Sequence, residues 1–217
     1  MATEIETSLL VIVLDVNSLQ RIVKQEMKIL SQCLDSTIVF AKAHLVQSSN
    51  NELAIMACHG HSAKFLYPYK TTAEIRQMDD QYEKFTMVER TVRQQLQQVI
   101  NEVPIPLNTK SLISNALSMA LCYIARLKRE KFAGQKLHPR IIVITASNDS
   151  ATQYMNYMNI FFTAQRMNVI LDVCSLDQEL TLLQLGCVIT GGNYLKVPQL
   201  DELLQDLLVN CLHLILS

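Results

Sequence analysis

The chain has 217 residues, of which 49% are hydrophobic and 18% charged, and its formal net charge is -1. This is the composition of an ordinary globular protein, and the length suits one large domain with a core that needs no disulfide or metal to hold it. The charge balance argues against sequence-independent binding of nucleic acid, which requires a basic excess. The apolar runs are too short to span a membrane.

Cysteine usage and the N-terminus indicate the compartment. The six cysteines include no Cys-x-x-Cys pair, and most lie within apolar helix or strand patterns. We therefore expect buried, reduced thiols in an intracellular protein and no zinc knuckle. The first six residues carry no basic segment, so no signal peptide is predicted.

The first predicted strand, Ser8 to Asp15, contains an unbroken run of apolar residues that ends at Asp15. Such a run is typical of a strand buried on both faces, in the middle of a parallel sheet. Asp15 then stands at the carboxyl end of a central strand, where open α/β sheets bind their ligands.

The other elements follow from apolar periodicity, caps and turn residues. Further strands are predicted at Leu53–Cys58, Ala63–Tyr67, Arg140–Ala146, Val169–Leu176 and Asn193–Leu195. Helices are predicted at Leu19–Lys42, Tyr82–Glu102, from a cap at Ser111 or Thr109 to Phe132, and at Asp149–Met167, Leu180–Val188 and Pro198–His213. The segment Tyr69 to Gln81 is predicted to be a loop.

The order of these elements predicts the fold class. Strands alternating with helices indicate a doubly wound α/β domain with a mostly parallel six-stranded sheet and helices on both faces. The short link between the second and third strands predicts a hairpin, so that the third strand is an antiparallel edge. No repeat or linker divides the chain, and a single domain over residues 1–217 is expected.

The common phosphate and hydrolase motifs are missing from the sequence. The turn after Asp15 contains no glycine, and neither a Gly-Lys-Ser/Thr loop nor a Gly-x-Ser-x-Gly elbow occurs. A hydrolase could use Asp15, Ser18 or Ser111, but no histidine is predicted beside them. The sequence therefore gives poor support to a site that binds phosphate by close backbone contact, or to a hydrolase.

The order of elements and the strand-one aspartate resemble the von Willebrand factor A fold, a Rossmann-like architecture. In that fold an Asp-x-Ser-x-Ser segment, a threonine and a second aspartate hold a divalent cation. Asp15 matches the first position, Asn17 and Leu19 stand for the two serines, Ser111 could replace the threonine, and Ala146 stands at the second aspartate. Because leucine and alanine offer no ligand oxygen, the resemblance implies a degenerate site without metal, of which Asp15, Asn17 and Ser111 remain. Asp15 is then expected to be a hydrogen-bonded structural carboxylate.

The resemblance narrows to the smaller A-fold subunit of general transcription factor IIH (TFIIH), usually called its subunit three. It is carried by the segments Leu10–Asp15, Phe65–Pro68, Ala116–Ile124, Gln153–Asn159 and Ile189–Gln199. It implies a nuclear scaffold of the TFIIH core complex, in RNA polymerase II transcription initiation and nucleotide excision repair, bound by the ring domain of the larger A-fold subunit. The family's zinc-binding C-terminal tail is absent from this sequence, so zinc is expected only in that missing tail and no cofactor in this chain.

One helix carries the candidate partner surface. On the predicted helix Asp149–Met167, one apolar stripe is expected to face the sheet, and it comprises Ala151, Met155, Met158 and Phe162. A second apolar stripe lies beside it, and it comprises Tyr154, Tyr157, Phe161 and Ala164. Because the combined arc is wider than a core stripe needs, the second stripe is either covered by neighbouring helices or is a partner surface.

Two polar clusters complete the candidates. His59 and His61 could share one face of a strand, but with no third ligand nearby they are expected to be ordinary polar residues. The basic cluster from Arg126 to Lys131, with Lys136, His138 and Arg140, is either a solvated helix end or a contact for an acidic segment or nucleic acid. The leading prediction is a non-enzymatic scaffold that binds neither membrane nor specific DNA sequences, and the alternative is a metal-dependent A domain that binds an acidic ligand.

Overall fold

The computed structural model describes residues 5–16, 28–60, 62–68, 81–101, 111–131, 135–147, 153–197 and 203–212. The strands are β1 (Ile5–Asp15), β2 (Glu52–Cys58), β3 (Ala63–Tyr67), β4 (Gln135–Thr145), β5 (Ile170–Ser175) and β6 (Tyr194–Lys196). The helices are α1 (Lys28–Gln47), α2 (Gln81–Asn101), α3 (Ile113–Glu130), α4 (Tyr154–Arg166), α5 (Thr181–Thr190) and α6 (Leu203–Asp206). A π-helical segment, Leu207–Leu212, continues α6.

The described strands form one sheet in the order β3-β2-β1-β4-β5-β6. Strand β1 pairs in parallel with β2 on one side and with β4 on the other. Strand β3 runs antiparallel to β2 at the sheet edge, and the remaining neighbours are parallel. The predicted doubly wound sheet, with β1 at its centre and one antiparallel edge strand, is confirmed.

Alternate residues of β1 enter two separate cores. Leu9, Val11 and Val13 pack with α3, α4 and α5 on one face of the sheet. The intervening Leu10, Ile12 and Leu14 pack with α1, α2 and α6 on the other face. This two-sided burial explains why β1 is continuously apolar instead of alternating.

Strand β4 begins at Gln135, earlier than the predicted Arg140. Its first residues pair only with β1, where Leu9 lies opposite Pro139, and the pairing with β5 starts at Arg140. Pro139 therefore lies where β4 still has one unpaired side, a position at which proline is tolerated. The polar start and the proline conceal this extension of the strand in the sequence.

Helix α3 begins without the predicted cap. Its N-cap residue is Leu112, which forms no side-chain capping bond, so the assignment of Ser111 as the cap is wrong, and Thr109 lies outside the described residues. The Leu112 backbone N–H instead donates to the His59 carbonyl, 3.4 Å away. A backbone contact with the end of β2 thus satisfies one N–H group at the start of the helix. The starts of two predicted helices, at Leu19 and at Pro198, also lie outside the described residues. The same holds for the start of the predicted loop at Tyr69.

Candidate functional site

The carboxyl end of the sheet holds Asp15 as a buried structural group. The Asp15 carboxylate is fully buried and accepts a hydrogen bond from Thr145 Oγ1 at 2.7 Å. The same hydroxyl accepts the Ser147 backbone N–H at 3.0 Å and lies 2.9 Å from Ser147 Oγ. Asp15 thus ties the end of β1 to the end of β4.

The thiol of Cys58 lies beside Asp15 at the end of β2. Burial, reinforced by the negative charge of Asp15, raises the pKa of Cys58 well above its usual range. A thiol with a raised pKa stays protonated and is neither a good nucleophile nor a ready metal ligand. This position therefore offers no catalytic cysteine.

Only part of the predicted cation site lies within the described residues. A hard cation takes six or more oxygen ligands, usually with several carboxylates. Ala146 is buried and offers no side-chain oxygen, while the Asp15 carboxylate is already bonded to Thr145. Ser111 directly precedes Leu112, whose backbone N–H contacts the His59 carbonyl at the end of β2. Asn17 and Leu19 lie outside the described residues. Within the described ranges, no group of three or more His, Cys, Asp or Glu side chains could hold a metal ion.

The Gln-Tyr-Met-Asn segment connects two helix starts. The Ser114 hydroxyl, buried in the first turn of α3, donates to Gln153 Oε1 at 3.0 Å. Gln153 is the N-cap residue of α4. This bond fixes α4 against α3 beside the carboxyl end of the sheet.

The Ile-Thr-Gly-Gly segment forms a close turn between α5 and β6. Gly191 ends α5 in the left-handed conformation, with φ of 74°. A Cβ on Gly192 would lie only 2.0 Å from the Leu171 carbonyl oxygen. The Thr190 hydroxyl accepts the Leu171 backbone N–H at 3.2 Å. Glycine is thus required at 192 because a side chain would collide with the β5 backbone, and it is favoured at 191 because the backbone there is left-handed.

A buried ion pair adjoins this turn and is not predicted by the sequence patterns. Arg140 Nη1 lies 2.8 Å from Asp172 Oδ2, and both residues are buried. Asp172 Oδ1 also accepts the Asn193 backbone N–H at 2.8 Å. Burial raises the pKa of Asp172 above its ordinary value, and the neighbouring Arg140 opposes that shift. One feature of the sequence could have indicated this ion pair: Asp172 is a charged residue within the apolar run of β5. A buried charge needs a partner.

The geometry of this turn predicts that alanine substitutions at its two glycines differ in how much they lower the free energy of unfolding. Gly192→Ala should lower the free energy of unfolding by about 2 kcal/mol more than Gly191→Ala, because the new methyl group collides with the β5 backbone. At Gly191 the space around a Cβ is open, and only the strain of the left-handed conformation, about 1 kcal/mol, is expected. Urea denaturation of both variants measures the difference, and equal losses would contradict it.

The two apolar stripes of helix α4 have exchanged places relative to the prediction, so that the second stripe faces the sheet. Tyr157, Phe161 and Ala164, members of the candidate partner surface, are buried against the sheet together with Ile160. Of the four candidate residues only Tyr154 is exposed.

The stripe predicted to face the sheet points outward instead. Met155 is 69% and Phe162 54% exposed, and Met158 is half-buried. Ala151, the fourth member of this stripe, lies outside the described residues. A Cβ on Gly186 of α5 would lie 2.5 Å from the Phe161 ring. The missing side chain at Gly186 makes room for Phe161, so α5 rather than the sequence of α4 determines which stripe turns inward.

The basic cluster is largely bonded within the chain. Lys131 pairs with Glu52 at 2.7 Å, and Lys128 donates to the Met167 carbonyl. Arg126 lies 5.3 Å from the centre of the Tyr123 ring. Of the predicted His pair, His59 is buried at the end of β2 and His61 lies outside the described residues. Among the described helices, none combines the length and apolar character that a membrane span requires.

Comparisons with known proteins agree with this architecture. Residues 7–214 match the family described as transcription factor Tfb4. The Schizosaccharomyces pombe protein named general transcription and DNA repair factor IIH subunit tfb4 is 31% identical over 94% of this chain and 69% of its own length. The Dictyostelium discoideum general transcription factor IIH subunit 3 is 31% identical over 81% of this chain and 50% of its own length. The chain spans about half to two thirds of the length of these relatives.

Solved structures show the same fold. The crystal structure of the TFIIH p34 N-terminal domain has a TM-score of 0.78 at 28% identity, covering 96% of this chain and 99% of that one. A von Willebrand factor type A protein from Catenulispora acidiphila has a TM-score of 0.65 at 14% identity, covering 93% of this chain and 41% of that one. The fold is therefore von Willebrand A-like, as predicted, and the chain belongs to the Tfb4 family, whose named relatives are subunits of general transcription and DNA repair factor IIH.

Proposed function

We propose that this chain is a non-enzymatic structural subunit of the TFIIH core complex in the nucleus, acting in RNA polymerase II transcription initiation and nucleotide excision repair. In this role it binds the larger A-fold subunit through that partner's ring domain. Family membership supports the assignment to TFIIH, because the named relatives are subunits of this factor.

The observation that carries the structural role is the arrangement around Asp15. Its carboxylate is buried and bonded to Thr145, and Ala146 offers no ligand oxygen. Cys58 beside it has a raised pKa instead of the lowered one that a nucleophilic thiol needs. The described groups at the sheet end where this fold class binds its ligands thus hold strands together, which supports a scaffold over a catalyst.

Co-purification tests the partner assignment. The full chain, expressed together with the ring domain of the larger A-fold subunit, is expected to elute with it as one stoichiometric complex in size-exclusion chromatography. Separate elution of two proteins that are each folded would contradict the proposed partner.

A magnesium titration tests the rival function, a metal-dependent A domain that captures an acidic ligand through a bound cation. Binding to the folded state alone would raise the melting temperature as the magnesium concentration increases. We expect no rise, because Ala146 offers no ligand oxygen and the Asp15 carboxylate is already bonded to Thr145. A saturable rise in Tm that Asp15→Asn abolishes would favour the rival.

A further inference from the structure

A buried histidine connects the end of α1 to the neighbouring strands β1 and β2. His44 lies in the last turn of α1 and is fully buried. Its Nε2 lies 3.2 Å from the backbone carbonyl oxygen of Glu52, the first residue of β2. The backbone of Ser8 in β1 is a second polar group beside the ring. The imidazole therefore holds the helix end against both strands at the amino end of the sheet.

The turn after α1 is fastened to the same residue. Asn51 Nδ2 donates to the His44 carbonyl at 2.8 Å. The Asn51 backbone N–H donates to the Ser48 carbonyl at 3.1 Å. Residues 44–51 thus form one connected segment that leads from α1 into β2, and its position depends on His44.

The hydrogen bond to Glu52 determines which nitrogen of the ring is protonated. A carbonyl oxygen only accepts, so the neutral ring carries its proton on Nε2 and has none on Nδ1. Protonation would add a second N–H and a full positive charge at a fully buried position. Such a charge is costly unless a carboxylate compensates it.

The carboxylates at this end of β1 and β2 have other partners. Glu52 is in register with Leu9, so its side chain lies on the sheet face opposite to α1, where it pairs with Lys131 at 2.7 Å. On β1, the Glu6 carboxylate lies 3.9 Å from Nε2 of His138 in β4. Neither strand therefore offers a protonated His44 a carboxylate that lacks a partner.

The balance of influences on the ring favours its neutral form. Burial is the largest influence on the pKa of His44 and lowers it from 6.5, while the backbone groups of Glu52 and Ser8 oppose that shift only in part. Lys42, the other cation in this part of α1, is paired with Glu89 of α2. The folded chain thus holds His44 as an uncharged hydrogen-bond donor.

We infer that His44 is a pH-sensitive latch, which holds residues 44–51 against β1 and β2 while its ring is neutral and releases them when the ring is protonated. Because the folded-state pKa lies below the ordinary value of 6.5, the stabilisation by the neutral ring is fully present above pH 6.5. It is lost as the pH falls from 6.5 towards the folded-state pKa. The latch acts at the amino end of the sheet and is independent of the proposed partner.

Hydrogen exchange of the full chain tests the latch, measured by mass spectrometry at about pH 7.5 and about pH 5 and corrected for the chemical pH dependence of exchange. Peptides that cover residues 44–51 should exchange several-fold faster at the lower pH. In His44→Gln the side-chain amide can donate to the Glu52 carbonyl but does not titrate, so the acceleration should disappear. His138→Gln is the matched control, because it removes an exposed histidine at the same end of the sheet, and the acceleration should persist.

Three outcomes would overturn the latch. The first is equal corrected exchange at both pH values in the unsubstituted chain. The second is an acceleration that persists in His44→Gln, and the third is one that disappears in His138→Gln, which would assign it to the contact with Glu6. Were His44→Gln unfolded, the unsubstituted chain would still decide, because release by His44 accelerates residues 44–51 alone, whereas general acid unfolding also accelerates β4 and β5.

Discussion

Replacing Phe161 with alanine should lower the free energy of unfolding by about 3–5 kcal/mol, the usual loss for a large aromatic side chain in a core. Phe161 is fully buried, its ring lies against Gly186, and its centroid is 5.8 Å from that of Tyr157. Neighbouring helices cannot easily close the resulting cavity, because the sheet and α5 enclose it from both sides. Chemical denaturation measures the loss.

The adjacent Phe162 supplies the control. Phe162→Ala removes the same side chain from a position that is 54% exposed, so the free energy of unfolding should change by no more than about 0.5 kcal/mol. The pair tests directly which apolar stripe of α4 faces the sheet. A larger loss at Phe162 than at Phe161 would restore the orientation that helical periodicity suggested.

Breaking the buried ion pair is the second change with a large expected effect. Arg140→Met should lower the free energy of unfolding by about 3–5 kcal/mol near neutral pH, because it leaves the Asp172 carboxylate buried without its cation. The Asn193 backbone N–H would remain as a donor, but it carries no full charge. Urea denaturation near neutral pH measures the loss.

The loss in Arg140→Met should depend on pH in a defined direction. Burial already raises the pKa of Asp172 from 3.8, and removing Arg140 takes away the charge that opposes this shift. A folded-state pKa above the unfolded one means that protonation favours the folded state, so the deficit is largest at high pH and shrinks as the pH falls through the folded-state pKa. The double variant Arg140→Met with Asp172→Leu should recover much of the loss because no charge stays buried. A deficit that is unchanged by pH and by the second substitution would argue against a buried ion pair.

The sequence predicts the sheet well because each buried strand leaves a local signal. The apolar runs that end at Asp15 and Cys58 and the run before Thr145 identify β1, β2 and β4, and the short link before Ala63 identifies the hairpin. These signals are local, since they depend on the burial of one segment. The family-specific segments are also local, and the structure explains the Ile-Thr-Gly-Gly segment by the backbone space at Gly192.

The orientation of α4 and the ion pair depend on relations between distant segments. Two apolar stripes of similar character lie side by side on α4, and periodicity cannot distinguish them. The choice is made by Gly186 on another helix, which leaves room for Phe161. Likewise, Arg140 and Asp172 meet only because β4 and β5 are neighbours in a particular register. The sequence pattern of a single segment indicates neither the room left by Gly186 nor the register of β4 and β5.

The most direct measurement for the central claim is a calorimetric titration of the full chain with the ring domain of the larger A-fold subunit, with and without millimolar magnesium. If the chain is a scaffold that binds this partner and whose strand-end carboxylate is structural, one ring domain should bind per chain with the same affinity in both buffers. Absence of binding, or binding that appears only with magnesium and disappears in Asp15→Asn, would contradict the account.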